Sequence, residues 1–216
     1  MKTVLCFGDS NTWGYDPDAS FGSPFPRRHP REVRWTGVLA TELGAGWQVI
    51  EEGQCGRTTV HDDPFNVARN GLEYLPACLE SHQPLDVVVL MLGTNDLKAI
   101  HHAPAGEIAT GAGVLARWIL QSTAGPGNVP PKLLFVAPPA VAPLGHLPDL
   151  AEKFAGAEAK ARRFPVLYRT MAAQLGAAFL DSQQYATPSP LDALHLDATS
   201  HAALGRAIAK TVRELA

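Results

Sequence analysis

The sequence predicts an α/β fold, a three-layer αβα sandwich around a five-stranded parallel sheet. Two observations carry this. Five short apolar runs alternate along the 216 residues with longer segments whose apolar residues recur at helical spacing. That alternation is the signature of right-handed crossovers with helices on both faces of a sheet. In addition, the run Val87-Val88-Val89-Leu90-Met91-Leu92 is continuously apolar, as a strand covered on both faces must be. No repeat or low-complexity segment divides the chain, so residues 1–216 are expected to form one domain.

The first strand is Val4 to Phe7, which stops at Gly8-Asp9-Ser10. Residues Pro17 to Arg31 hold four prolines and read as a loop, either a lid, a plain surface excursion or a subunit contact. Trp35, Val38, Leu39 and Leu43 share one face of a helix over 34–43, closed by Gly44. Trp47 to Ile50 form the second strand, which runs into a turn holding Gly53 and Gly56. A helix over 70–81 follows, with Pro76 as an irregularity, and then the strand at 86–92, which ends in Gly93-Thr94-Asn95-Asp96. Ile108, Leu115 and Ile119 mark a helix over 104–121, and Lys132 to Ala137, with the apolar run Leu133 to Val136, a fourth strand ended by Pro138-Pro139. A helical region reaches Leu175, and Pro165 breaks it or starts its second half. Ala178 to Asp181 are the fifth strand, and Asp197 caps a last helix carrying Leu204, Ile208, Val212 and Leu215.

Composition removes several functional classes. Apolar residues make up 46% and charged residues 18%, a globular balance, and the net charge is −3. No basic block exists, so nucleic acid is not an expected partner. No polybasic amphipathic stretch or long apolar run points to a membrane. Val4 to Phe7 is too short for a signal-peptide core, which makes a cytoplasmic location the expectation. Cys6, Cys55 and Cys78 are odd in number and match no metal spacing, so three reduced thiols are expected.

Three strands end in glycine-bearing polar loops: Gly8-Asp9-Ser10, Gly53 to Gly56, and Gly93-Thr94-Asn95. With strand order 2-1-3-4-5 these ends converge at the switch point between the first and third strands, where open α/β sheets bind ligands. Ser10, an N–H near Gly56 and the Asn95 amide would then surround one cavity. A serine hydroxyl needs a base to act as a nucleophile. Of eight histidines, His29, His61, His82, His146, His101, His102 and His201 lie in loops, at helix ends or inside the last helix. His195 differs, because it follows the fifth strand and is preceded at three residues by Asp192. One helical turn would separate the two side chains, letting the carboxylate hold the imidazole in the required tautomer.

In these blocks the sequence resembles the SGNH/GDSL hydrolases over nearly its whole length. Gly8-Asp9-Ser10 looks like the family's nucleophile block, the Gly53-to-Gly56 turn like its second block, Gly93-Thr94-Asn95-Asp96 like its third, and Asp192-Ala193-Leu194-His195 like its last. The resemblance implies a flavodoxin-like SGNH hydrolase fold. It implies a Ser10–His195–Asp192 triad, with an oxyanion hole made by the N–H groups of Ser10 and Gly56 and the Asn95 amide. The activity expected is hydrolysis of short-chain acyl esters through an acyl-Ser10 intermediate, with transfer to alcohols or peroxide as an extension. No metal or organic cofactor is needed for that chemistry. Val33 to Gly37, Glu51-Glu52-Gly53 and Arg57-Thr58-Thr59 make the chain most similar to the short-chain aryl-esterase/acyltransferase branch. Asn11 stands where many members have Leu.

Trp13, Cys55, Asp9 and Ala193 are the substrate-binding candidates; Trp13 reads equally as core packing, and Asp9 as a brace for its own loop. Arg57 is expected to hold the proline-rich loop or a neighbouring subunit, and a homo-oligomer is expected. A carbohydrate O-acetyl esterase, or a thioesterase or lysophospholipase, would use the same triad. A binding protein on a doubly wound fold is the non-enzyme alternative, since fold does not imply function.

Overall fold

The computed structural model describes residues 1–216. Five strands form one parallel sheet: β1 (Lys2–Gly8), β2 (Trp47–Gly53), β3 (Val87–Met91), β4 (Lys132–Ala137) and β5 (Ala178–Asp181). Their spatial order is β2-β1-β3-β4-β5, as the switch-point argument requires. The register sets the site. Gly8 pairs with Gly53 on one side and with Met91 on the other, so the carboxyl ends of β1, β2 and β3 finish side by side.

Nine helices connect the strands. They are α1 (Ser10–Trp13), α2 (Pro17–Ser20), α3 (Trp35–Leu43), α4 (Gly71–His82), α5 (Ala105–Gln121), α6 (Pro148–Lys153), α7 (Ala157–Ala161), α8 (Phe164–Leu175) and α9 (Ala198–Leu215). Strand side chains alternate between two cores. Leu5, Phe7, Val88, Leu90 and Phe135 face α4, α5 and α8, while Val4, Cys6, Val87, Val89 and Leu134 face α3 and α9. This division explains why β3 and the buried stretches of β1 and β4 are continuously apolar, whereas the edge strand β2 carries Gln48, Glu51 and Glu52.

Two segments differ from the sequence reading. Residues 17–31 are not wholly loop, because α2 forms one turn there. Asp16 caps it by accepting from the Ala19 N–H, and Pro17 stands in its first turn. The segment is tied down rather than free, through a bridge between Tyr15 and Arg28 and the His29 N–H on Gly14 O at 2.8 Å. The region 148–175 is three helices, and Pro165 stands in the first turn of α8, so it starts a helix rather than kinking one. No helix is long and apolar enough to cross a membrane.

Candidate active site

Ser10 opens α1 directly after β1, in a turn made by its neighbours. The Asp9 carboxylate accepts from the Asn11 N–H at 3.0 Å and so caps the helix. A Cβ at Gly53 would strike the Trp13 backbone, so only glycine lets β2 end this close to α1. Ser10 is 7% exposed. Its hydroxyl lies 2.8 Å from His195 Nε2, and His195 Nδ1 lies 2.7 Å from Asp192 Oδ2. The other Asp192 oxygen accepts from the N–H groups of Leu194 (3.0 Å) and His195 (2.9 Å). Burial alone would raise the Asp192 carboxyl. The His195 hydrogen bond and charge, with the two backbone donors, outweigh it and hold the group below its ordinary range.

The Asp192–His195 stretch is not helical, which corrects the expected spacing argument. It is a tight turn with Ala193 in the left-handed region at φ 61°. Asp192 reaches both the imidazole and the following N–H groups because the turn folds back over its own carboxylate. Ala193 is fully buried and its carbonyl accepts from Ala142 N.

On the opposite wall, Gly56 adopts φ 83°, and its N–H donates to no protein acceptor. The Ser10 N–H has no internal acceptor either. Asn95 Nδ2 donates one hydrogen to Arg57 O at 3.1 Å, which orients the amide and leaves its second hydrogen free. Asp96, fully buried, accepts from the Thr59 N–H and Oγ1 and from His61, locking the loops after β2 and β3 together. The Asp96 hydrogen bond holds the His61 imidazole above its ordinary range.

Ser10, Gly56, Asn95 and His195 line a cavity of about 290 Å³, which also includes Tyr15, Cys55, Arg69, Lys98, Lys153 and Phe154. The structure therefore brings Ser10, Gly56, Asn95 and His195 to one wall system, with Asp192 behind the imidazole. Cys55 lines the cavity, but burial first, and the Asp9 charge second, push its thiol up to about 11, so it stays protonated at neutral pH. Trp13, Asp9 and Ala193 do not line the cavity. The Trp13 ring lies under the Arg28 guanidinium at 5.3 Å, and Asp9 is spent on the α1 cap, where burial raises it to about 6. Arg57 does not reach the proline-rich segment. It donates to Gly8 O at 2.8 Å and to Glu52 O and lies over the Phe7 and Tyr74 rings, fastening the ends of β1 and β2.

Two contributors escaped the sequence reading. The Tyr15 ring stacks on the His195 imidazole at 3.9 Å between centroids. Asn11, 1% exposed, bridges both flanks of His195: its amide donates to Leu194 O at 3.2 Å and accepts from Leu196 N at 3.1 Å. The signal for Tyr15 was nearness to Ser10 in sequence, and for Asn11 that nearness and its standing in place of Leu.

Comparison with known proteins follows this geometry. The model of the GDSL-like lipase/acylhydrolase family matches residues 6–203. The chain belongs to that family. This GDSL-family chain is a carboxylic ester hydrolase. Among solved structures it is similar to a carbohydrate acetylesterase from Sinorhizobium meliloti, at 41% identity and TM-score 0.94, with 100% of both chains covered. It is equally similar to the aryl esterase of M. smegmatis, at 41% identity and TM-score 0.93 over 100% of both chains. A lipase/acylhydrolase from Enterococcus faecalis, 18% identical, shares the fold at TM-score 0.69 over 99% of this chain and 96% of that one. Comparison with curated proteins gives no significant match.

Proposed function

We propose that this GDSL-family hydrolase cleaves short acyl, acetyl-type esters, with Ser10 as nucleophile and residues 1–216 as one catalytic domain. The observation that carries the reading is the relay from Asp192 Oδ2 to His195 Nδ1 (2.7 Å) and from His195 Nε2 to the Ser10 hydroxyl (2.8 Å). His195 takes the Ser10 proton as Oγ attacks the ester carbonyl. The negative charge that develops on the carbonyl oxygen is met by the unoccupied N–H groups of Ser10 and Gly56 and by the free Asn95 hydrogen. The tetrahedral intermediate collapses, the His195 proton passes to the departing alcohol, and an acyl-Ser10 ester remains. Water, deprotonated by His195, attacks that ester through a second tetrahedral intermediate, which collapses to release the acid as the His195 proton returns to Ser10 Oγ. Asp192 stays ionised and stabilises the imidazolium at each step. Transfer to an alcohol or to hydrogen peroxide uses the same two half-reactions with a different second nucleophile.

Two points support a small acyl group. The cavity, about 290 Å³, lies at the small end for ligand sites. The similar Sinorhizobium meliloti protein is a carbohydrate acetylesterase. Hydrolysis of p-nitrophenyl acetate and octanoate by wild type and Ser10→Ala tests the proposal. Fast acetate turnover, weak octanoate turnover and a loss of roughly 10⁴-fold or more in the variant are expected. Equal rates for wild type and variant would remove Ser10 from the mechanism.

A further inference from the structure

The cavity wall has an uneven charge. The chain as a whole carries −3, yet the residues lining the cavity include Arg69, Lys98 and Lys153 and no carboxylate. The two acids of the site stand outside it, Asp192 behind His195 and Asp9 beneath α1.

The three cations are not equivalent. Lys98 is neutralised, with Nζ 2.8 Å from Asp63 Oδ2 and both side chains nearly buried at 8% and 4% exposure. Burial opposes ionisation of Asp63, but bonds from Lys98, the Phe65 N–H and Asn66 outweigh it and hold the carboxyl low. Arg69 and Lys153 have no acidic partner within 4 Å. The sole hydrogen bond from the Arg69 guanidinium goes to Val67 O at 3.0 Å, which leaves most of its donors free. The Arg69 stem and Nε also cover the oxyanion turn, because a Cβ at Gly56 would lie 3.2 Å from Nε. Lys153, the last residue of α6, lines the cavity with Leu150 and Phe154. An anionic group entering with an ester would thus meet one planar fork and one ammonium, and would face no like charge on the wall.

We propose that the site is built for esters that carry a second, negatively charged group, a carboxylate or its equivalent, which Arg69 binds and Lys153 attracts. The inference rests on the ester-hydrolase reading and names the substrate class within it. A guanidinium pairs with a carboxylate in bidentate geometry, whereas an ammonium acts as a point charge, so Arg69 carries selectivity and Lys153 steering. The field of the pair also raises the local concentration of anions at the mouth, an effect that salt screens.

The experiment compares three acetate esters of matched size: 4-acetoxybenzoate, its neutral carboxamide, and a cationic trimethylammonium analogue. The quantity read is the ratio of kcat/KM values within one enzyme preparation. That ratio cancels the active fraction, so a partly folded variant still gives an answer. Wild type is expected to favour the benzoate over the carboxamide by about tenfold, the scale of a partly screened charge pair, with the cationic ester slowest. Raising NaCl should shrink the ratio. Arg69→Gln with Lys153→Gln should bring it near one, and Arg69→Lys should restore part of it. Turnover of the carboxamide with no preference for the benzoate, or a preference that survives both substitutions, overturns the proposal. Failure to hydrolyse all three esters and phenyl acetate overturns the esterase reading itself, a separate and recognisable result.

Discussion

Asn11 shows what one residue decides. It directly follows Ser10, and its side chain spans two turns of the site. The Asn11 amide holds Leu194 O and Leu196 N, the backbone on either side of His195, from inside the α1 turn that carries Ser10. Ser10 and His195 are 185 residues apart in sequence, so their 2.8 Å contact depends on such ties. Asn11→Ala leaves a buried acceptor and a buried donor unpaired. It should lower stability by about 1–3 kcal/mol and kcat by roughly ten- to a hundredfold, with a smaller change in KM. Urea unfolding and steady-state kinetics check this; an unchanged kcat would mean that the His195 turn holds itself. Tyr15 belongs to the same scale, since its stacked ring limits the tilt of the imidazole.

At the scale of elements, the strand ends matter more than the strands. Gly93 follows β3 at φ 135°, and a Cβ there would run into the Tyr168 hydroxyl, which donates to Leu92 O at 2.7 Å. The close fit lets α8 reach under the loop that presents Asn95. Gly93→Ala must displace Tyr168 or the loop. A loss of about 1–3 kcal/mol is expected, read as a lower Tm, together with reduced turnover as Asn95 shifts. An unchanged Tm would show that the loop relaxes without cost. A cap acts at the same scale in Pro17 to Arg31: its prolines signalled irregular chain, but Asp16 supplies a cap that lets one helical turn form. Caps and glycines are visible in sequence, but the atom that a missing Cβ would strike lies on a distant element.

For the whole molecule, pH stability follows from how helices α3 and α9 meet. His201, fully buried, accepts the Trp35 N–H on Nδ1 at 3.2 Å, so it must be neutral. Burial, with smaller repulsion from His29, lowers its pKa from 6.5 to about 3. In the unfolded chain the same group protonates near its ordinary value. Between pH 6.5 and about 3 the unfolded state therefore binds more protons, and stability falls as pH falls. Asp9, raised to about 6, has the opposite sign, losing stability as pH rises from about 4 to 6. Its contribution is common to wild type and His201→Gln and cancels in their difference. Any Tm advantage of wild type over His201→Gln at pH 7.5 should shrink steadily toward pH 4. A pH-independent difference would show that His201 does not titrate on unfolding.

Read alone, the chain specifies the strand–helix alternation, because a strand covered on both faces has to be continuously apolar and a helix has to keep its apolar face at a 3.6-residue spacing. It also marks the glycine-bearing polar loops Gly8-Asp9-Ser10, Gly53 to Gly56 and Gly93-Thr94-Asn95 and the pair Asp192-x-x-His195, which the fold brings together around one cavity. It does not specify the partners of long side chains. Arg57, expected at the proline-rich segment, instead fastens β1 to β2, and Trp13 lies under Arg28 rather than in the cavity. Nothing in the sequence singles out Arg69 and Lys153, which meet only when α6 and the turn at Gly56 are brought around one cavity. The physical reason is range. Propensity, capping and hydrophobic period act within a few residues, while the direction of a side chain and the charge of a cavity wall are set by segments that meet only when the sheet forms.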